Sequence, residues 1–273
     1  MQQLPFRAIV SDLDGTLLTP NHTVGEFTID TLQKLAAKGV DIMLATGRSY
    51  YDVKEILSAR IGIANAIMIT SNGAKVHNLQ GELLLDNPLP DALAYEITNV
   101  PFDPSKVCVN TYQNAEWFVN VDIPEMKDFH KDSGFCYQVT NFKTLQPRDT
   151  EKVFFLSRKP QDLVSVEQHI QQHFGEQVNM AYSTPTCLEI MYKNVSKATA
   201  LAQVVAHKNY ALADCIAFGD GMNDVEMLSE VGKGLIMGNA DPRLSQAAPQ
   251  LEIIGRNAHE SVASYLRATF GIC

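Results

Sequence analysis

Short apolar runs alternating with helix-patterned stretches limit what this 273-residue chain can fold into more than any other feature. Residues 8–10 (Ala-Ile-Val), 40–45 and 66–70 are near-continuously apolar, as strands are when both faces are covered. Between them, residues 27–38 carry Phe27, Leu32, Leu35 and Ala36 at roughly helical spacing, and Gly39 is well placed as the C′ residue. A second helix is expected over 50–57. The alternation resumes late in the chain with a helix over 196–208, a strand over 215–218 and helices near 225–229 and 258–269. The pattern predicts an α/β fold: a parallel sheet covered by helices, with functional groups at the carboxyl ends of its strands.

Residues 86–187 have a different texture. Paired strand-like runs (106–112 with 116–120, then 152–157) precede a helical stretch over 160–173, the composition of a separate α+β unit. Thirteen of the chain's twenty-two aromatic residues fall here. A small domain needs large side chains to fill its interior, and that explanation outweighs a stacking site for a ligand. Pro88, Pro90 and Pro185 near the joins suit stiff hinge linkers. The expected organisation is a core of 1–85 plus 188–273, interrupted by 86–187.

The densest chemical signal is Asp12-Leu13-Asp14-Gly15-Thr16, two carboxylates one residue apart after the first strand. In an extended segment Asp12 and Asp14 point the same way. One can attack a phosphorus while the other handles a proton, with a hard cation between them. An Asx-type turn would explain the same letters. Three further segments follow in order: Thr46-Gly47-Arg48 after the second strand, Lys197 at a helix start, and Gly219-Asp220-Gly221-Met222-Asn223-Asp224 after the strand at 215–218. Ser71-Asn72-Gly73-Ala74 closes the third strand.

Together these resemble the four motifs of the haloacid dehalogenase-like phosphohydrolases, specifically the Cof-type subfamily with a type IIB cap, and within it bacterial sugar-phosphate and pyridoxal-phosphate phosphatases. The resemblance spans most of the chain. It implies a Rossmann-like parallel-sheet core with an inserted α+β cap and Mg²⁺-dependent hydrolysis of small phosphomonoesters through an aspartyl-phosphate. Asp12 is the implied nucleophile and Asp14 the general acid/base. The Asp12 carboxylate, the Asp14 backbone carbonyl and the Asp220 carboxylate are the implied Mg²⁺ ligands. Thr46, Gly47, Lys197, Asn223 and the Leu13 backbone N–H would bind the phosphoryl group, with Asp224 supporting Lys197 or the metal's waters. Arg48 and Asn72 are possible substrate contacts, with a scaffold role open for each. Asp14 favours phosphatase or mutase over the dehalogenase branch, which lacks that acid. A phosphomutase or phosphotransferase would use the same aspartyl-phosphate, and these residues do not choose between water and a second hydroxyl as acceptor. A non-enzymatic metabolite-binding domain would require loss of Asp12, Asp14, Lys197 or Asp220, and all four are intact.

Composition narrows the partners. The formal charge of −9 argues against nucleic acid, whose phosphates need a basic patch, but not against a small phosphorylated metabolite. The five cysteines form no C-x-x-C pair, so reduced thiols are expected, not zinc ligands or disulfides. The apolar run after Arg7 meets Asp12 too soon for a secretory leader, and no run approaches the ~18 residues of a membrane helix. A cytoplasmic enzyme is expected; oligomeric state is not legible. No P-loop pattern occurs, Gly232, Gly234 and Gly238 are expected in turns, and the seven histidines read as surface or singly bonded residues.

Overall fold

The computed structural model describes residues 4–63, 65–129 and 133–273. β1 (Ala8–Ser11), buried along its length, is followed by α1 (Glu26–Ala37) and then β2 (Asp41–Ala45), which pairs with β1 in parallel. α2 (Tyr50–Ile61) and β3 (Ile67–Thr70) repeat the unit. The next two strands depart from the expected pattern: β4 (Lys75–Asn78) and β5 (Leu83–Asp86) run antiparallel to their neighbours. The connection 71–74 is too short for a parallel crossover, which takes about a dozen residues or more.

A second sheet follows. Its elements are α3 (Asp91–Thr98), β6 (Val107–Gln113), β7 (Glu116–Val119), α4 (Pro124–Phe129), β8 (Tyr137–Val139), β9 (Thr150–Ser157), α5 (Val164–Phe174), β10 (Val178–Thr184) and β11 (Cys187–Tyr192). The strand order is β10-β11-β9-β6-β7-β8, antiparallel except where β8 joins β7. β11 carries this sheet past the expected boundary at 187. Pro185 lies in the β10–β11 hairpin, inside the sheet, and not at a join. The aromatic residues do fill the interior: Trp117 is 1% exposed and packs with Tyr112, Phe135, Tyr137 and Phe154.

α6 (Lys197–His207) returns the chain to the first sheet, where β12 (Cys215–Gly219) takes the free edge of β1, Ala8 opposite Cys215. α7 (Val225–Glu230), β13 (Lys233–Ile236), α8 (Pro242–Ala247), β14 (Glu252–Ile253) and α9 (Ser261–Phe270) finish it in the order β14-β13-β12-β1-β2-β3-β4-β5. Six neighbouring strands are thus parallel; at one edge β4 runs against them and β5, antiparallel to β4, runs with them again. The expectation of a turn at Gly234 fails, because it sits within β13. A Cβ there would come 1.9 Å from the Leu228 carbonyl, so glycine lets α7 lie close on the sheet.

The passage from the first sheet to the second is tied to the start of β9 at the β4–β5 edge. Lys75 Nζ donates to Asp86 at 2.8 Å and to Asp149 at 2.7 Å, and the Leu89 N–H donates to the Thr150 carbonyl at 2.8 Å. Two histidines, His169 and His173, form an H-x-x-x-H pair on α5 that the sequence reading passed over, with ring centroids 4.2 Å apart. His130 lies outside the described residues. Among the described residues no helix is long and apolar enough to cross a membrane. The five cysteines are free.

Candidate active site

Parallel strands in register end at one level, so side chains just past their carboxyl ends converge. Ser11 stands opposite Leu44 and Phe218, which brings Asp12, Thr46 and Asp220 to one edge of the sheet. The ladder stops at Ser11, and the chain then turns: the Leu17 and Leu18 N–H groups donate back to the carbonyls of Asp12 and Leu13. Gly15 makes that turn with φ 78°, and a Cβ on it would lie 2.2 Å from Asp220 Oδ2. Glycine is therefore what admits Asp220 to the site. Leu13 buries its side chain in the core and leaves only its backbone for the cleft.

Lys197 is the electrostatic centre. At 1% exposure its Nζ donates to Asp12 Oδ1 at 2.6 Å and to Asp224 Oδ1 at 2.7 Å. Burial opposes its charge, and the two carboxylates more than offset that, so its pKa is raised. Asp224 is fully engaged, since its Oδ2 also accepts from the backbone N–H groups of Asp220 and Gly221 at 3.0 and 2.9 Å. The Thr16 hydroxyl, which sequence reasoning missed, donates to Asp220 Oδ1 at 2.7 Å. It lies two residues past Asp14 in the same motif, the one signal that pointed to it.

Asp12, Asp220 and Asp224 have carboxylate oxygens within 4.8 Å of one another, facing a single lysine. Burial raises Asp12 well above the usual carboxylate range; Lys197 pulls it back and Asp224 and Asp220 push it up again. Burial, then Asp224, lifts Asp220 to about 6 against the pull of Thr16 and Lys197. This surplus of negative charge fits a divalent cation. With Asp224 engaged elsewhere, Asp12 and Asp220 are the carboxylates left to face it.

Asp14 also lines the cavity, but its side chain turns toward Arg48 and away from Lys197. The guanidinium donates to both Asp14 oxygens, at 2.7 Å through Nε and 2.6 Å through Nη2, and Nη1 reaches Asp52 at 3.4 Å. Arg48 is thus an ion-pair residue that also lines the cavity. Asn72 is 1% exposed, with Nδ2 donating to Glu189 at 2.8 Å and Oδ1 accepting from Asn223 at 3.0 Å. It ties the loop after β3 to Asn223 and to Glu189 of the second sheet. The turn 46–48 is held by backbone bonds from Asn72 N to the Thr46 carbonyl at 3.0 Å and from Ser71 N to the Arg48 carbonyl at 2.8 Å.

Above these groups lies a cavity of about 470 Å³ between the two sheets. Asp12, Thr46, Gly47 and Asp220 form its floor, and Tyr112, Trp117, Met126, Phe154 and Leu156 of the second sheet and α4 line its roof.

A model of the haloacid dehalogenase-like hydrolases matches residues 9–266. The chain belongs to that family. A Haemophilus influenzae protein provisionally named a phosphatase is 58% identical over 269 residues, 98% of each chain. A Yersinia pestis protein named HMP-PP phosphatase is 38% identical over 261 residues, 96% of this chain and 94% of its own. A haloacid dehalogenase-like hydrolase from B. subtilis superposes with a TM-score of 0.84 at 24% identity, covering 96% of this chain and 99% of its own. A subclass IIB sugar phosphatase gives 0.78 at 20% identity, covering 98% and 100%. The fold is theirs, and the chain is a haloacid dehalogenase-like phosphatase.

Proposed function

We propose that this phosphatase hydrolyses small phosphomonoesters with Mg²⁺, through an aspartyl-phosphate formed on Asp12. One observation carries the reading: the Asp12 carboxylate, fixed by Lys197, stands at the floor of a cavity between the two sheets that is large enough for a metabolite. Asp12 attacks phosphorus and the leaving oxygen departs toward Asp14, which gives it a proton. Asp14 must first leave Arg48, which now occupies both its oxygens. Water then cleaves the aspartyl-phosphate, with Asp14 taking the proton. Thr46, Gly47, Asn223 and the Leu13 N–H hold the phosphoryl oxygens, and Lys197 offsets their charge. A cation on Asp12, Asp220 and the Asp14 carbonyl would neutralise the phosphoryl group and align it with the nucleophile.

Residues 86–192 act, in this reading, as a cap that excludes bulk water and macromolecular phosphoesters. Sugar phosphates and pyridoxal 5′-phosphate are the substrate classes. Tyr112, Trp117 and Phe154 in the roof favour the flat ring, since aromatic groups pair well with one another. The relative named HMP-PP phosphatase supports a small phosphorylated metabolite of this kind. Five free thiols suit a reducing compartment, the cytoplasm.

Asp12→Asn tests the mechanism. It keeps the shape of the site but removes the nucleophile, and kcat should fall by roughly four orders of magnitude or more. Phosphate release near the wild-type rate by folded Asp12→Asn would end the aspartyl-phosphate reading. The same assay separates hydrolysis from phosphotransfer, because only hydrolysis frees inorganic phosphate.

A further inference from the structure

Lys152 and Glu189 lie outside every motif, yet their side chains are only 3% and 2% exposed. They share one face of the cap sheet: Lys152 stands opposite Tyr112, and Glu189 opposite Phe154. Glu189 accepts from Lys152 Nζ and, through Oε2, from Asn72 Nδ2 at 2.8 Å. Lys152 Nζ also donates to the Gly47 carbonyl at 2.5 Å and lies 4.9 and 4.7 Å from the ring centroids of Tyr112 and Phe154. Apolar residues of similar volume generally serve stability as well as a buried ion pair does. The pair therefore calls for a role besides holding the cap together.

That role is visible in what Lys152 grips. The peptide joining Gly47 to Arg48 offers its carbonyl to Lys152, and its N–H donates to Thr46 Oγ1 at 3.1 Å. A hydroxyl that accepts on one side keeps its own proton for another partner. Fixing the peptide thus fixes the side of Thr46 on which the proton stays available. Gly47 is itself tightly enclosed, since a Cβ there would come 3.3 Å from Glu189 Oε2.

We propose that Lys152, held by Glu189, is a positioning residue that reaches from the cap to the 46–48 turn and sets its affinity for the phosphoryl group. The inference rests on reading Thr46 and Gly47 as phosphoryl donors. On this account the core alone does not complete the anion site; a side chain of the cap does.

The test is the double variant Lys152→Met/Glu189→Gln, which leaves no unpaired buried charge and keeps an acceptor for Asn72. With Mg²⁺ present, the Ki of inorganic phosphate should rise about tenfold, the worth of one charge-assisted hydrogen bond. kcat/KM should fall by a similar factor for sugar and ring phosphomonoesters alike, because the turn touches what they share. An unchanged Ki in the folded double variant overturns the proposal. So does a loss confined to one leaving group, which would make the pair a substrate contact. Should the double variant lose its cooperative thermal transition, Lys152→Arg is read by the same ratios, since it keeps the charge and displaces the donor. Thr46→Val runs in parallel. If it too leaves Ki unchanged, the phosphoryl role of the turn falls and the inference with it. If it weakens phosphate while the double variant does not, the inference alone falls.

Discussion

Lys197 and Lys152 are buried to nearly the same degree, 1% and 3%, one in the core and the other in the cap, and they are built for different work. Lys197 sits between two carboxylates, one of them the proposed nucleophile Asp12. Lys152 lines the cavity and sits between one carboxylate and a backbone carbonyl, beside two aromatic rings, and, as proposed, acts through the 46–48 turn. The contrast teaches that burying a cation does not by itself mark chemistry. What the cation's partners touch decides its role.

The largest effect that would sharpen this contrast comes from Lys197→Met. It leaves Asp12 and Asp224 buried without a counter-ion, which should cost about 3–5 kcal/mol of stability by urea titration. The same change should lower kcat by roughly three orders of magnitude, as loss of a group facing transition-state charge does. A kcat loss no larger than that of the Lys152 double variant would erase the distinction between the two lysines.

A smaller effect concerns the metal. In EDTA the protein should be inactive, with Mg²⁺ restoring turnover and Ca²⁺, of looser geometry, inhibiting. Asp220 titrates near 6 in the folded protein, above the ordinary carboxylate value of 3.8, so the folded state holds its proton longer than the unfolded chain. Without metal, the contribution of Asp220 to stability is therefore greatest at low pH and falls as pH rises through the window from about 4 to 6, by the order of 2–3 kcal/mol. Saturating Mg²⁺ should flatten that fall by supplying the missing positive charge. A metal-free protein whose urea midpoint follows the same course over this window as that of Asp220→Asn would contradict the burial and repulsion assigned to Asp220.

The smallest effect is in the cap. Phe154→Leu should change the ranking of ring against sugar phosphomonoesters by roughly three- to tenfold, the scale of one aromatic contact. The Ki of inorganic phosphate should stay constant. A uniform loss on every substrate would mean that Phe154 acts through Lys152 rather than on the leaving group.

The core was legible because its functional residues sit at strand ends, and strand ends are marked in one dimension by an apolar run meeting Gly, Asp or Thr. Asp12, Thr46, Asn72 and Asp220 could be placed at one edge that way, while Lys197 was marked by a helix start. The antiparallel β4–β5 edge was not, because a short apolar run does not reveal its direction; only the brief 71–74 connection does. Gly234 was misread because a glycine that admits a neighbouring helix and a glycine that makes a turn are the same letter. Lys152 and Glu189 were hidden by their setting. On a strand covered on both faces, no alternation distinguishes the inward polar residue, and their pairing depends on a register 37 residues apart. The Arg48–Asp14 pair was half legible: its chemistry was weighed as an ion pair, but its partner was not identifiable without the fold.

The position of β1 has a consequence for the chain as it is made. β1 lies in the middle of the sheet, and the strand that covers its second edge begins at Cys215. Every strand of the cap is synthesised in between. At about 5–20 residues per second, β1 waits on the order of 10 s or more for that partner. Over the same interval the cap, a continuous segment with antiparallel neighbours, has all its own pairings within reach. Until then the second edge of β1 has no strand partner, and Lys197 and Asp220 reach Asp12 only with the last third of the molecule. A chain released early would hold a folded second sheet over an aspartate with no lysine beside it.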